Sequence, residues 1–112
     1  MTTRFGDDEM HALLGQARPY SLMILRDGPH AAAEDAPQHV WEHGRRNFGL
    51  RDEGRLLIVL PVMDDSEVCG VGVFAASVEE TVEIMNADPG VQAGVFTFEV
   101  HPCMGFPGDA LR

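Results

Sequence analysis

The chain has 112 residues, 45% of them hydrophobic, and a formal net charge of −10 at pH 7. This length predicts one domain, and the hydrophobic content excludes general disorder. All eight basic residues are arginines, which excludes Schiff-base chemistry on a lysine, and the acidic balance weighs against nucleic acids and anionic membranes as partners.

No run approaches the roughly 20 apolar residues needed to cross a bilayer. The opening residues MTTRFGDDEM lack the apolar centre of a secretory signal. We therefore expect a cytoplasmic protein. Thiols stay reduced in that compartment, so Cys69 and Cys103 are expected to be free and to act as small buried hydrophobic side chains.

The first predicted elements are a short helix and a strand. Residues 7–17 carry acids in the first turn, and Met10, Leu13 and Leu14 form a one-sided apolar stripe, as in a surface helix. The apolar run 20–27 predicts a buried strand.

A loop over 28–37, with turn residues at both ends, precedes a helix predicted over 38–53. Residues spaced three or four apart share one side of this helix, and Trp41 lies beside them. The members of this row are Val40, Gly44, Phe48 and Arg51.

The second half predicts two strands, 55–63 and 71–76, which a short connection joins as a hairpin. Ser77 and Glu80 have the spacing of a capping box, which predicts that a helix begins there. That helix ends before the ADPG turn, and strict alternation of apolar and polar residues predicts a last strand over 94–101.

The order of elements after the first helix is therefore β-α-β-β-α-β. This order predicts an α+β, ferredoxin-like fold in which an antiparallel sheet carries both helices on one face. The other face then needs cover, and a second copy of the chain would supply it, so a homodimer is expected.

The segment HVWEH, residues 39–43, has the H-x-x-E-H pattern of some zinc peptidases. On a helix, His39 and His43 could bind zinc, with Glu42 as the base. A catalytic zinc site needs a third ligand, and no downstream motif supplies one. We therefore expect no metal, and we expect His39 and Glu42 to be ordinary residues of the helix surface.

Residues 43–102 resemble the YCII-related family of the dimeric α+β barrel superfamily. His43 lies eleven residues before the GRLL of 54–57, and Pro61 follows the next strand. The segment 77–102, SVEETVEIMNADPGVQAGVFTFEVHP, resembles the family's helix, its D-P turn and its last strand. Two departures are Leu60 before Pro61, where the family has glycine, and the extensions at both ends.

The resemblance implies that His43 and Asp88 are a catalytic pair that needs neither metal nor organic cofactor. One family member is a dehydrochlorinase, so the implied activity is that of a lyase or isomerase. The expected reaction is elimination or isomerisation of a small organic molecule such as a phenol. The alternative is a noncatalytic dimer that binds a small molecule or serves a structural role.

The predicted fold supports this pairing independently. Its two helices run antiparallel, so the beginning of the first, with His43, lies near the end of the second, with Asp88. A carboxylate bonded to one imidazole nitrogen fixes the tautomer and leaves the other nitrogen as a base. Arg46 and Trp41 are the candidates for substrate binding, through paired donors and ring stacking respectively. The alternative for Arg46 is a solvated helix residue that pairs with nearby acids, and for Trp41 it is packing in the core or at the dimer interface, and these alternatives are the favoured ones.

These interpretations divide the chain into three parts. Residues 1–18 form an N-terminal extension with the short helix, residues 19–102 form the ferredoxin-like domain, and residues 103–112 form a C-terminal tail.

Overall fold

A computed structural model describes residues 2–112. Four helices and four strands follow in the order α1 Asp7–Leu14, β1 Arg18–Asp27, α2 Ala36–Asp52, β2 Leu56–Pro61, β3 Val68–Phe74, α3 Val78–Asn86, α4 Pro89–Gln92 and β4 Phe96–Gly105. The predicted elements are all present, with ends displaced by a few residues. The short α4 lies where the sequence predicted only a turn.

The strands form one antiparallel sheet in the order β2-β3-β1-β4. This is the predicted α+β, ferredoxin-like arrangement. Helices α2 and α3 pack on one face of the sheet, and the hydrophobic core lies between these helices and the sheet. At the centre of the sheet, Met23 pairs with Gly72 on one side and Val100 on the other.

Capping side chains explain where helices α3 and α4 begin. Ser77 caps α3, since its hydroxyl accepts a hydrogen bond from the backbone N–H of Glu80 at 3.1 Å. The predicted cap is confirmed. Asp88 caps α4 in the same way, and Pro89 fits the first turn because that position needs no N–H donor.

The two ends of the chain differ in how they join the sheet. Strand β4 continues to Gly105, which pairs with Arg18, so part of the predicted tail belongs to the sheet. Helix α1 has no buried residue, and its apolar stripe is exposed to solvent. The N-terminal extension is therefore not part of the core of this chain.

Helix α2 buries a different row from the one that the sequence pattern indicated. Its buried residues are Ala36, His43 and Leu50, which lie seven apart and face the sheet. Val40 and Phe48 are 43% and 66% exposed. Within residues 2–112, no helix combines the length and the apolar character required to cross a bilayer.

Candidate active site

His43 and Asp88 are in contact, although 45 residues separate them in the sequence. Nδ1 of His43 lies 2.9 Å from both carboxylate oxygens of Asp88. His43 sits about two turns into α2, and Asp88 lies between α3 and α4, so the pair joins two separate helical segments. The His43 side chain is 10% exposed and that of Asp88 is fully buried.

Asp88 is held by three further groups. Its Oδ2 accepts hydrogen bonds from the backbone N–H of Gly90 at 3.0 Å and of Val91 at 3.2 Å. The Nη1 of Arg46 lies 3.7 Å from Oδ1. A buried carboxylate with this many donors is well satisfied, so the aspartate has a structural role as well as any chemical one.

The pKa of Asp88 reflects two opposing effects. Burial alone raises it, but the hydrogen bond and charge of His43, the amide of Val91 and the charge of Arg46 together outweigh burial, and the net pKa lies below the ordinary 3.8. The carboxylate is therefore ionised at neutral pH. An ionised Asp88 favours the imidazole tautomer that carries its proton on Nδ1.

The other imidazole nitrogen, Nε2, is directed at Asn47, one turn later on α2. The distance from Nε2 to Nδ2 of Asn47 is 3.1 Å. When Nδ1 donates to Asp88, Nε2 is an acceptor, and the carboxamide N–H of Asn47 can donate to it. Phe96 packs against the imidazole with its ring centroid 4.8 Å away and fixes the plane of the ring.

A cavity of about 260 Å³ lies beside His43, between α2 and the strands β2 and β3. Gly70 and Gly72 are buried residues of β3 at its wall. A Cβ at Gly72 would lie 3.1 Å from Leu56 and 3.3 Å from Met23, and one at Gly70 would lie 3.2 Å from the backbone oxygen of Leu60, so the two glycines permit close packing there. The other lining residues are Met23, Leu25, Val40, Gly44, Phe48, Leu56, Val59, Leu60, Pro61, Cys69, Val71, Phe96 and the two polar residues His43 and Asn47.

The two residues predicted to bind substrate do not line this cavity. Trp41 is 69% exposed, because two residues of helix rotate it about 200° away from His43. Arg46 lies behind Asp88, and its Nη1 is buried with no hydrogen-bond partner within residues 2–112. The structure thus places Arg46 as a charge next to the carboxylate and places Trp41 on the outer surface of α2.

The two histidines of HVWEH have different partners. Nε2 of His39 pairs with Asp35 at 3.1 Å, near the start of α2, whereas His43 is bonded to Asp88. In the described part of the chain, no three His, Cys, Asp or Glu side chains come together in a way that could hold a metal ion. The described residues therefore place no third zinc ligand beside His39 and His43.

Sequence reasoning missed the features that make the cavity. Asn47 belongs to no motif, but its spacing of four from His43 places it on the same side of α2. Gly70 and Gly72 alternate within β3, which indicates close packing on one face of that strand.

Cys69 also lines the cavity, but it is poorly suited to act as a nucleophile. Burial, together with the hydrogen bond that its thiol donates to Asp27 at 3.2 Å, raises its pKa to about 11. Because the ordinary value is 9.0, the thiolate fraction at neutral pH is lower by about a hundredfold.

We therefore expect iodoacetamide to alkylate Cys69 at pH 7 much more slowly than it alkylates a free cysteine. The rate is measured by mass spectrometry in a Cys103→Ser background, so that one thiol reports. Cys69→Ala should leave turnover within about twofold. Rapid alkylation, or a large loss of turnover, would give Cys69 a chemical role that these contacts do not support.

No protein-family model matches the sequence, and no curated protein matches it. Among solved structures, the chain is similar to the 5-chloro-2-hydroxyhydroquinone dehydrochlorinase TftG from Burkholderia phenoliruptrix AC1100, in complex with 2,5-dihydroxybenzoquinone. The two chains have 17% sequence identity and a TM-score of 0.52, over 73% of this chain and 90% of that one. The likeness shows a shared fold, while membership of the dimeric α+β barrel superfamily and of its YCII-related family stays a prediction.

Proposed function

We propose that this chain is an enzyme that performs His43/Asp88 acid–base chemistry on a small organic molecule without a cofactor. The observation that carries the proposal is the buried contact of 2.9 Å between Nδ1 of His43 and Asp88, at the wall of a cavity of about 260 Å³. In this role, Asp88 orients the imidazole and balances its positive charge, and Nε2 is the base.

The proposed reaction class follows from the groups that line the cavity, which offer one base and few other polar side chains. Nε2 takes the proton of a substrate hydroxyl, and the electron pair left on oxygen moves into the substrate. In an elimination, the ring reacts in a keto tautomer whose chlorine-bearing carbon also carries hydrogen. The pair forms a C=O bond, the neighbouring double bond shifts, and chloride leaves, after which the imidazolium passes its proton to solvent. In an isomerisation, the imidazolium returns the proton to a different atom of the same molecule.

The cavity favours a ring of modest size. Its volume suits a single ring with small substituents, and its lining is mainly aliphatic and aromatic. No arginine lines it, so a carboxylate or phosphate would enter without a partner for its charge. TftG was solved with 2,5-dihydroxybenzoquinone, and we propose hydroxylated rings as the substrate class here too.

A turnover screen tests the proposal. The purified protein is incubated without oxygen with hydroquinones, hydroxyhydroquinones and their chlorinated forms, and ultraviolet spectra and released chloride are followed. We expect conversion of at least one chlorinated compound to a quinone with release of chloride, or of at least one compound to an isomer. Binding of these compounds with no conversion of any, and equal affinity in His43→Ala, would favour a noncatalytic binding dimer instead.

We further propose that the chain works as a homodimer through the face of the sheet opposite the helices. On this face Val73 lies between Leu22 and Ile58, and Val71 lies between Ile24 and Leu60 in the neighbouring strands. All these side chains are at least partly exposed. Burying such an apolar face against a second copy removes it from water, which is favourable by about 25 cal/mol per Å².

We expect analytical ultracentrifugation to give twice the chain mass of 12.2 kDa. Ile24→Asp places a charge in the middle of this face and should shift the protein toward the monomer. Gln38→Asp adds the same charge on the exposed start of α2 and should leave the mass unchanged. A monomeric wild type, or a dimer that tolerates Ile24→Asp, would contradict this assignment of the interface.

A further inference from the structure

His43 and Asn47 form the polar edge of a cavity that is otherwise almost wholly apolar. The polar side chains among its lining residues are those of His43 and Asn47 and the thiol of Cys69. A ligand with two polar groups close together can satisfy both residues, whereas one with distant polar groups must leave one of its own groups against hydrocarbon. Polar groups buried without a partner carry a free-energy penalty, so this edge selects among ligands.

The two residues offer complementary hydrogen bonds. With Nδ1 donating to Asp88, Nε2 of His43 is an acceptor, and the carboxamide of Asn47 supplies an N–H donor 3.1 Å away. In the free protein these two groups satisfy each other. A ligand that takes the place of this bond must bring a donor for Nε2 and, next to it, an acceptor for Asn47.

We propose that Asn47 is a substrate-positioning residue that selects rings with oxygen atoms on adjacent carbons. One hydroxyl donates to Nε2 of His43, and the neighbouring hydroxyl or carbonyl oxygen accepts from the carboxamide of Asn47. This spacing matches the short separation of the two nitrogen atoms. The inference rests on the proposed function, because it takes the same cavity as the binding site.

The three isomers of dihydroxybenzene test the selection. They have the same composition and are neutral at pH 7, and they differ only in the spacing of two hydroxyls. We expect benzene-1,2-diol to bind roughly three- to tenfold more tightly than the 1,3 and 1,4 isomers, as one added neutral hydrogen bond would give. Dissociation constants are measured by ligand-detected nuclear magnetic resonance without oxygen, and no turnover is needed.

Asn47→Leu keeps the approximate size of the side chain and removes its hydrogen bonds. We expect this variant to bind the three isomers with similar affinity. Asn47→Asp removes the donor and keeps the acceptor, and it should lose the preference as well. A preference that survives in both variants, or that is missing from the wild type, overturns the proposal.

The outcome also separates this inference from the proposed function. Equal binding of all three isomers removes the role of Asn47 and leaves the cavity as a site for hydroxylated rings. Binding of none of them removes both.

Discussion

Replacement of His43 with alanine is expected to lower turnover of an accepted substrate by about 10²- to 10⁴-fold, which is the usual contribution of a positioned acid–base group. The alanine removes Nε2 and leaves the cavity with no side chain that can accept a proton at neutral pH, since the Cys69 thiol stays protonated. The loss should appear mainly in kcat when the ring of the substrate is held by the apolar walls.

The same substitution is expected to destabilise the fold by about 3–5 kcal/mol, because it removes one partner of a buried pair and leaves the Asp88 charge behind. Two backbone amides and Arg46 still face the carboxylate, which favours the lower end of this range. Urea unfolding measures the change. A double variant, His43→Ala with Asp88→Asn, removes the buried carboxylate charge but also takes from Nη1 of Arg46 the charge 3.7 Å away, so we expect it to recover only part of the lost stability.

His39→Ala is the matched control for this prediction. It is the same substitution one turn earlier on α2, where the histidine pairs with Asp35 near the protein surface. Exposed pairs of this kind contribute about 0–1 kcal/mol, so both stability and turnover should change little. Equal effects of the two substitutions would contradict a special role for His43.

Asp88→Asn is expected to lower turnover by about 10²- to 10⁴-fold while retaining the fold. Asparagine is as good a helix cap as aspartate, so α4 keeps a side-chain acceptor for Gly90 and Val91. It carries no charge, however, and its amide can donate to Nδ1 and thereby select the wrong imidazole tautomer. In hydrolases built on an analogous pair, that change costs about 10⁴-fold.

The free energies of unfolding of the wild type and of the Asp88→Asn variant should depend on pH in different ways. The pKa of Asp88 is lower in the folded protein than its ordinary value of 3.8, so ionised Asp88 contributes stability that is complete above about pH 4. This contribution is lost as the pH falls through the folded-state pKa. Wild type should therefore lose its advantage over Asp88→Asn in urea melts at low pH.

The other acids with lowered pKa values, Asp64 and Glu99, are present in both proteins and cancel in the comparison. A difference in stability that stays constant from pH 7 to pH 3 would show that ionisation of Asp88 does not stabilise the fold.

The pairing of His43 with Asp88 could be anticipated from the sequence because it depends on topology. The order of the strands and helices was evident from apolar periodicity and turn residues, and this order brings the start of α2 near the end of α3. The Asp-Pro dipeptide then places the aspartate at the point where α3 has ended.

The cavity was beyond sequence reasoning because it depends on how α2 packs on the sheet. Periodicity indicated the row with Val40, Gly44 and Phe48, which lines the cavity, but the row buried against the sheet contains His43. A histidine paired with a carboxylate is buried more readily than its polarity implies, so hydrophobicity alone did not indicate the buried row. The placement of Arg46 behind Asp88 follows from the same rotation of the helix.

Asp88 links two parts of the molecule, since it bonds a histidine of α2 and at the same time begins α4. Loss of either partner would therefore lower stability whether or not the pair performs chemistry. Natural selection for folding alone would then preserve both residues. Among homologues, the presence of this histidine and aspartate is thus a weak criterion for activity.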